Sequence, residues 1–131
     1  MITARQTTAD EADLHIANLA LAELRCTPDY AAAPPTHMVR QGSETGNLFV
    51  AERDGNAVAY ALIWDTSGEI KWMTHLGPDH REQMIALCSA VKEAVGVAPW
   101  GRVGNAQLRA AIAHPDLHAD PDDPTLLTWR G

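Results

Sequence analysis

The chain has 131 residues, 46% hydrophobic and 21% charged, with a formal net charge of −7. That is enough for one globular domain with a core of its own, and the acidic balance, with lysine only at Lys71 and Lys92, excludes a nucleic-acid backbone as an expected partner. The opening MITARQTT has no apolar stretch and no run approaches membrane-spanning length, so the expectation is a cytoplasmic protein with no membrane partner and with Cys26 and Cys88 as reduced thiols.

In chain order, Met1–Thr7 alternates as a short strand, and Thr8-Ala9-Asp10-Glu11 has the spacing of a capping box. The helix that follows is predicted to run to about Arg25, with Leu14, Ala17, Leu21 and Leu24 as its core stripe and Ile16 and Leu19 widening it. Thr27-Pro28-Asp29 is a turn and Ala32-Ala33-Pro34-Pro35 a stiff connector. A short helix capped by Thr36 is expected to reach about Gln41, with Gly42–Gly46 as loop. Asn47–Trp64 reads as a hairpin around Asp54-Gly55-Asn56, whose residues tolerate the positive φ of a tight turn.

Asp65-Thr66-Ser67-Gly68 turns the chain into the stretch Glu69–Gly96, around which the rest is arranged. Ile70–Leu76 is predicted as a strand, with Ile70, Trp72 and Thr74 on one face and Lys71, Met73 and His75 on the other. Gly77-Pro78-Asp79 stops it. From Asp79 the apolar period lengthens from two to about 3.6, giving a helix with Met84, Leu87, Cys88, Val91, Ala94 and Val95 on one stripe and Gly96 at its end. A helix N-terminus held beyond a strand end presents free N–H groups to an anion. Val97–Trp100 is a short strand, Asn105 heads a helix ended by Pro115, His114–Pro124 is polar and turn-rich, and Thr125–Trp129 is a last strand. The four tryptophans fall on or beside strands and are expected as core or sheet-edge packing.

This order of elements resembles that of the GNAT superfamily of acyl-CoA N-acyltransferases. Ile2–Asp10 is similar to the family's opening strand and helix entry, NLFVAERDGNAVAYALIW to its second and third strands, and Val103-Gly104-Asn105 to its fifth strand and the helix after it. With Trp100 ahead of that step, the particular resemblance is to the short GNAT-like proteins of tailed bacteriophages. The fold class so implied is α+β, a mixed, mostly antiparallel sheet of about six strands with helices on both faces, in a single domain. The resemblance also implies a binding site for acetyl-CoA. The backbone of Thr74, His75 and Leu76 would hold the acyl carbonyl and pantetheine, and the turn at Arg81, Gln83, Met84 and Ala86 the pyrophosphate. In the family that turn reads Q/R-x-x-G-x-G/A. Here Arg81 and Ala86 match, Met84 stands at the first glycine, and Glu82 adds negative charge beside it. The family's acid, a tyrosine in the fourth helix, is replaced near Ile112.

Candidate chemistry follows from these positions. His75, at the end of a strand, is a base for an amine substrate or a half-buried histidine bonded to a carbonyl. Glu52 and Glu69 are bases acting through water or solvated carboxylates, and Asn105 is a substrate contact or a helix cap. Arg81 grips a phosphate or stands in solvent. His114 and His118 have a ligand-like spacing, but Pro115 and Pro121 break the helix it would need, so no metal is expected. Two functions remain. One is transfer of an acetyl group from acetyl-CoA to a small amine or a protein amine. The other is a non-catalytic GNAT-fold phage protein, in host cytoplasm or virion, that acts in virion assembly or by binding a phage or host protein.

Overall fold

Alternating sequence becomes a four-stranded antiparallel sheet, ordered β1 (Ile2–Gln6), β2 (Leu48–Arg53), β3 (Asn56–Ile63) and β4 (Ile70–His75). The computed structural model describes residues 1–25, 34–75, 80–102 and 117–130. The hairpin between β2 and β3 closes where Asp54 (φ 52°) and Gly55 (φ 81°) both take the left-handed conformation, whose twist matches that of the flanking strands. The register shifts once between Ala51 and Glu52 and once between Leu62 and Ile63.

Among the described residues three α-helices cover the sheet. Helix α3 (His80–Val95) lies on one face, where Met84, Leu87, Cys88 and Val91 pack on Phe49, Ala51, Ala59, Ala61 and Met73. The alanines of this face leave room for the helix to come close. On the other face α1 (Ala12–Arg25), entered through a 3-10 turn at Ala9–Glu11, and α2 (Thr36–Thr45) bring Leu19 and Val39 onto Leu48, Val50, Tyr60, Leu62 and Trp72. The α+β class with helices on both faces is therefore correct. Ile70 packs with Met73 on the α3 side rather than with Trp72, because the register shift at Ile63 reverses its side.

Two helices differ from the sequence expectation. Among the described side chains of α1 the buried ones are Ala12, His15 and Leu19, while Leu14 and Leu21 are 57% and 54% exposed and Ala17 is exposed; the side chain of Leu24 lies outside the described residues. The helix is rotated so that a histidine faces the sheet. Helix α2 continues through Gly42 instead of ending at Gln41, and it stops at Gly46 (φ 77°). Gly42 is buried against the sheet, and a Cβ there would lie 2.8 Å from Leu62 Cδ1 and 3.1 Å from Leu48 Cβ. A glycine that reads as loop in sequence is a close-packing position in the structure.

A second, three-stranded sheet has the order β5 (Trp100–Arg102), β7 (Leu126–Trp129), β6 (Leu117–Ala119). So four plus three strands replace a single sheet of about six, and β6 occupies part of the stretch expected as a polar loop. Among the described residues the two sheets meet at one parallel bridge, Glu69–Trp100, where the Trp100 N–H donates to Gly68 O at 3.1 Å. Pro99, just before β5, has no N–H to extend that pairing, and β5 takes β7 as its ladder partner. Among the described residues no helix is long and apolar enough to cross a membrane.

Candidate functional site

The period-two alternation of β1 and β2 turns Arg5 and Glu52 toward the α1 side of the sheet, where the regular pairing of Thr3 with Glu52 and of Arg5 with Val50 makes them diagonal neighbours. Arg5 Nε donates to Glu52 Oε1 at 3.0 Å, and its two terminal nitrogens donate to the Glu11 carboxylate at 2.7 and 2.6 Å. Glu11 also accepts from the Thr8 N–H at 2.9 Å, so one carboxylate closes the helix entry and grips β1. The Arg5 guanidinium holds the Glu11 carboxyl down at about 2.

Next to this cluster lies a buried polar pair. Tyr60, fully buried on β3, has its hydroxyl 2.7 Å from His15 Nδ1, and Asn18 Nδ2 donates to the same oxygen at 3.1 Å. Because Asn18 donates, the phenol proton is directed at His15 Nδ1, and the neutral imidazole carries its own proton on Nε2. That Nε2–H is buried and has no hydrogen-bond partner; the nearest carboxylate oxygen, Glu11 Oε2, is 3.8 Å away. The two rings meet edge to face with centroids 5.2 Å apart. Burial pushes the His15 pKa below its ordinary value and pushes the Tyr60 hydroxyl up to about 12.

The residues expected from sequence fall in two places. Thr74 is fully buried on β4 directly across from Tyr60, and its hydroxyl has no partner. Glu52 joins the Arg5 cluster on the same side of the sheet. Arg81, Gln83, Met84 and Ala86 belong to α3, on the opposite face. Arg81 is exposed, Ala86 half-buried, and Gln83 and Met84 are each 1% exposed, so their side chains face the interior. Glu82, in the same first turn, lies 3.8 Å from Arg53. His75 ends β4 opposite Ala59; its side chain, and Leu76 and Asn105 altogether, lie outside the described residues.

Glu69 sits at the bridge between the two sheets, with Lys71 at 2.9 Å and Arg102 at 3.7 Å from its carboxylate. Trp100 donates from Nε1 to Ser67 O at 2.9 Å, and Arg102 stacks over its ring. Trp72 and Trp129 are buried, while Trp64 is 61% exposed. Cys88 is buried and forms no disulfide. His118 is exposed on β6, and among the described residues no three His, Cys, Asp or Glu side chains converge as metal ligands.

Sequence reasoning missed His15, Asn18 and Tyr60. The available signal was the spacing Ala12, His15, Leu19 at i, i+3 and i+7, which is as helical as the leucine stripe and competes with it. A polar ring on such a stripe needs a buried partner, and Tyr60 is one of only two tyrosines in the chain.

No family model matches the sequence, and no curated protein matches it. Among solved structures the chain is similar to the apo form of YjaB from Escherichia coli, over 100% of this chain and 99% of that one, at 16% identity and a TM-score of 0.49. So loose a likeness says nothing of activity, substrate or partner.

Proposed function

We propose that the chain is a GNAT-like acyltransferase that moves an acetyl group from acetyl-CoA to an amine. The observation that carries this reading is that, among the described residues, one parallel bridge at Glu69 and Trp100 joins the first sheet to β5 without a ladder between β4 and β5, with the unpartnered hydroxyl of Thr74 further along β4. Strands joined in this way leave backbone donors on their facing edges free to receive an acyl carbonyl. Bound acetyl-CoA supplies an activated thioester. Thr74 and the β4 backbone would orient its carbonyl, and Arg81 would meet its phosphates at the first turn of α3, where backbone N–H groups lack intrahelical partners. Gln83 and Met84 would contribute backbone alone, since their side chains are buried. The acceptor amine must arrive unprotonated or lose its proton; the Glu52 carboxylate is taken by Arg5, which leaves His75, at the end of β4, as the candidate base.

A second reading, a non-catalytic GNAT-fold phage protein acting in virion assembly or protein binding, is favoured by the exposed Leu14, Ala17 and Leu21 on α1. Glu82, an exposed negative charge in the first turn of α3, points the same way. Thermal unfolding with added acetyl-CoA separates the two. A ligand held only by the folded state stabilises it by about 2.7 kcal/mol at a hundredfold excess over Kd. We expect the melting temperature to rise with acetyl-CoA concentration. A melting temperature unmoved at millimolar acetyl-CoA overturns the transferase reading.

A further inference from the structure

Among the described side chains of helix α1, the larger aliphatic groups turned inward are Leu19 and the half-buried Ile16, while Leu14 and Leu21 stand in solvent. Leu19 supplies most of the hydrophobic burial among these side chains. The inward side is held as well by the contacts of His15 and Asn18 with the Tyr60 hydroxyl.

That arrangement needs a neutral imidazole. His15 Nδ1 must accept from the phenol, because Asn18 already donates to the phenol oxygen. A proton on Nδ1 would set two donors against one oxygen and leave the phenol proton without an acceptor. The new charge would also find no free counter-ion among the described groups around it. Glu11, 3.8 Å from Nε2, is bound to both terminal nitrogens of Arg5 and to the Thr8 N–H. Glu52 on β2 is bound to Arg5 on β1, whose positive charge opposes another nearby. On α2, Arg40 is engaged with Asp13 at the surface. We propose that His15, Asn18 and Tyr60 form a pH-sensitive latch, which holds α1 on the sheet while His15 is neutral and releases the helix when His15 takes up a proton.

The sign follows from the burial of the ring, which lowers the folded-state pKa of His15. The folded, latched form binds fewer protons than the open one. Its stability is complete above the unperturbed histidine value of about 6.5 and is lost as pH falls below it, tenfold in equilibrium constant for each pH unit until the latched ring itself titrates.

The test is amide hydrogen exchange of the full chain between pH 7.0 and 5.5, corrected for intrinsic rates. Protection of α1 should fall, by at most about tenfold, relative to amides of β2 and β3. In His15→Gln, whose side-chain carbonyl can still accept from Tyr60 but does not titrate in this range, the fall should vanish. An unchanged α1, an equal fall in β2 and β3, or a His15→Gln chain that keeps the fall overturns the latch. Should that variant not fold, the wild-type His15 ring resonance decides: a midpoint at or above about 6.5 overturns it, and a lower one supports it.

Discussion

The Tyr60 hydroxyl serves two partners that no other described group serves, His15 and Asn18. Its own pKa, pushed up to about 12 by burial, keeps it a donor throughout the ordinary working range. Replacing it with phenylalanine keeps the ring and its packing, but leaves an imidazole acceptor and an amide donor buried without a bond. We expect Tyr60→Phe to lower unfolding stability by about 2 kcal/mol, read from urea denaturation at neutral pH. A loss below about 0.5 kcal/mol would mean that water reaches the site and satisfies both groups. At this scale the sequence was least informative. Nothing in the spacing says that His15 and Tyr60, 45 residues apart, share a proton.

At the scale of elements, α1 carries two helical stripes, and hydropathy alone selects the wrong one. Leu14, Ala17 and Leu21 are more apolar than Ala12, His15 and Leu19, yet the second set faces the sheet. The contrast makes a sharp pair of substitutions. Leu19→Ala should cost about 2–5 kcal/mol and Leu14→Ala less than about 0.5 kcal/mol, measured side by side by urea denaturation. The reverse order would restore the leucine stripe as the buried one. Elsewhere periodicity served well, apart from Ala94, which was expected on the buried stripe of α3 and is exposed. The hairpin at Asp54-Gly55 and the stripe Met84, Leu87, Cys88, Val91 are local patterns with a single plausible arrangement. Gly42 misled because its role, the close approach of α2 to Leu48 and Leu62, is set by residues it meets only after folding.

For the molecule as a whole, the α+β class and the covering of the sheet by helices on both faces followed from the order of elements. Where the first sheet ends did not, because that depends on which partner β5 takes, and three residues carry no pattern that distinguishes β4 from β7. The candidate site was legible in the same uneven way. Thr74 and Glu52 lie on the face that holds the buried polar pair, whereas Gln83 and Met84 turn into the core.

The strand order has a kinetic consequence. Strands β2, β3 and β4 are successive in sequence and adjacent in space, so each pairing closes a short loop. Strand β1 pairs with β2 only across the two helices between them, Arg5 lying opposite Val50. Loop-closure entropy places the meander early in folding and the arrival of β1 late. A kinetic chevron should then show Val50→Ala slowing folding, with Ile2→Ala mainly accelerating unfolding. On a ribosome the order of synthesis runs against the order of folding: β1 is made well before β2, and until then its edge has no strand to pair with.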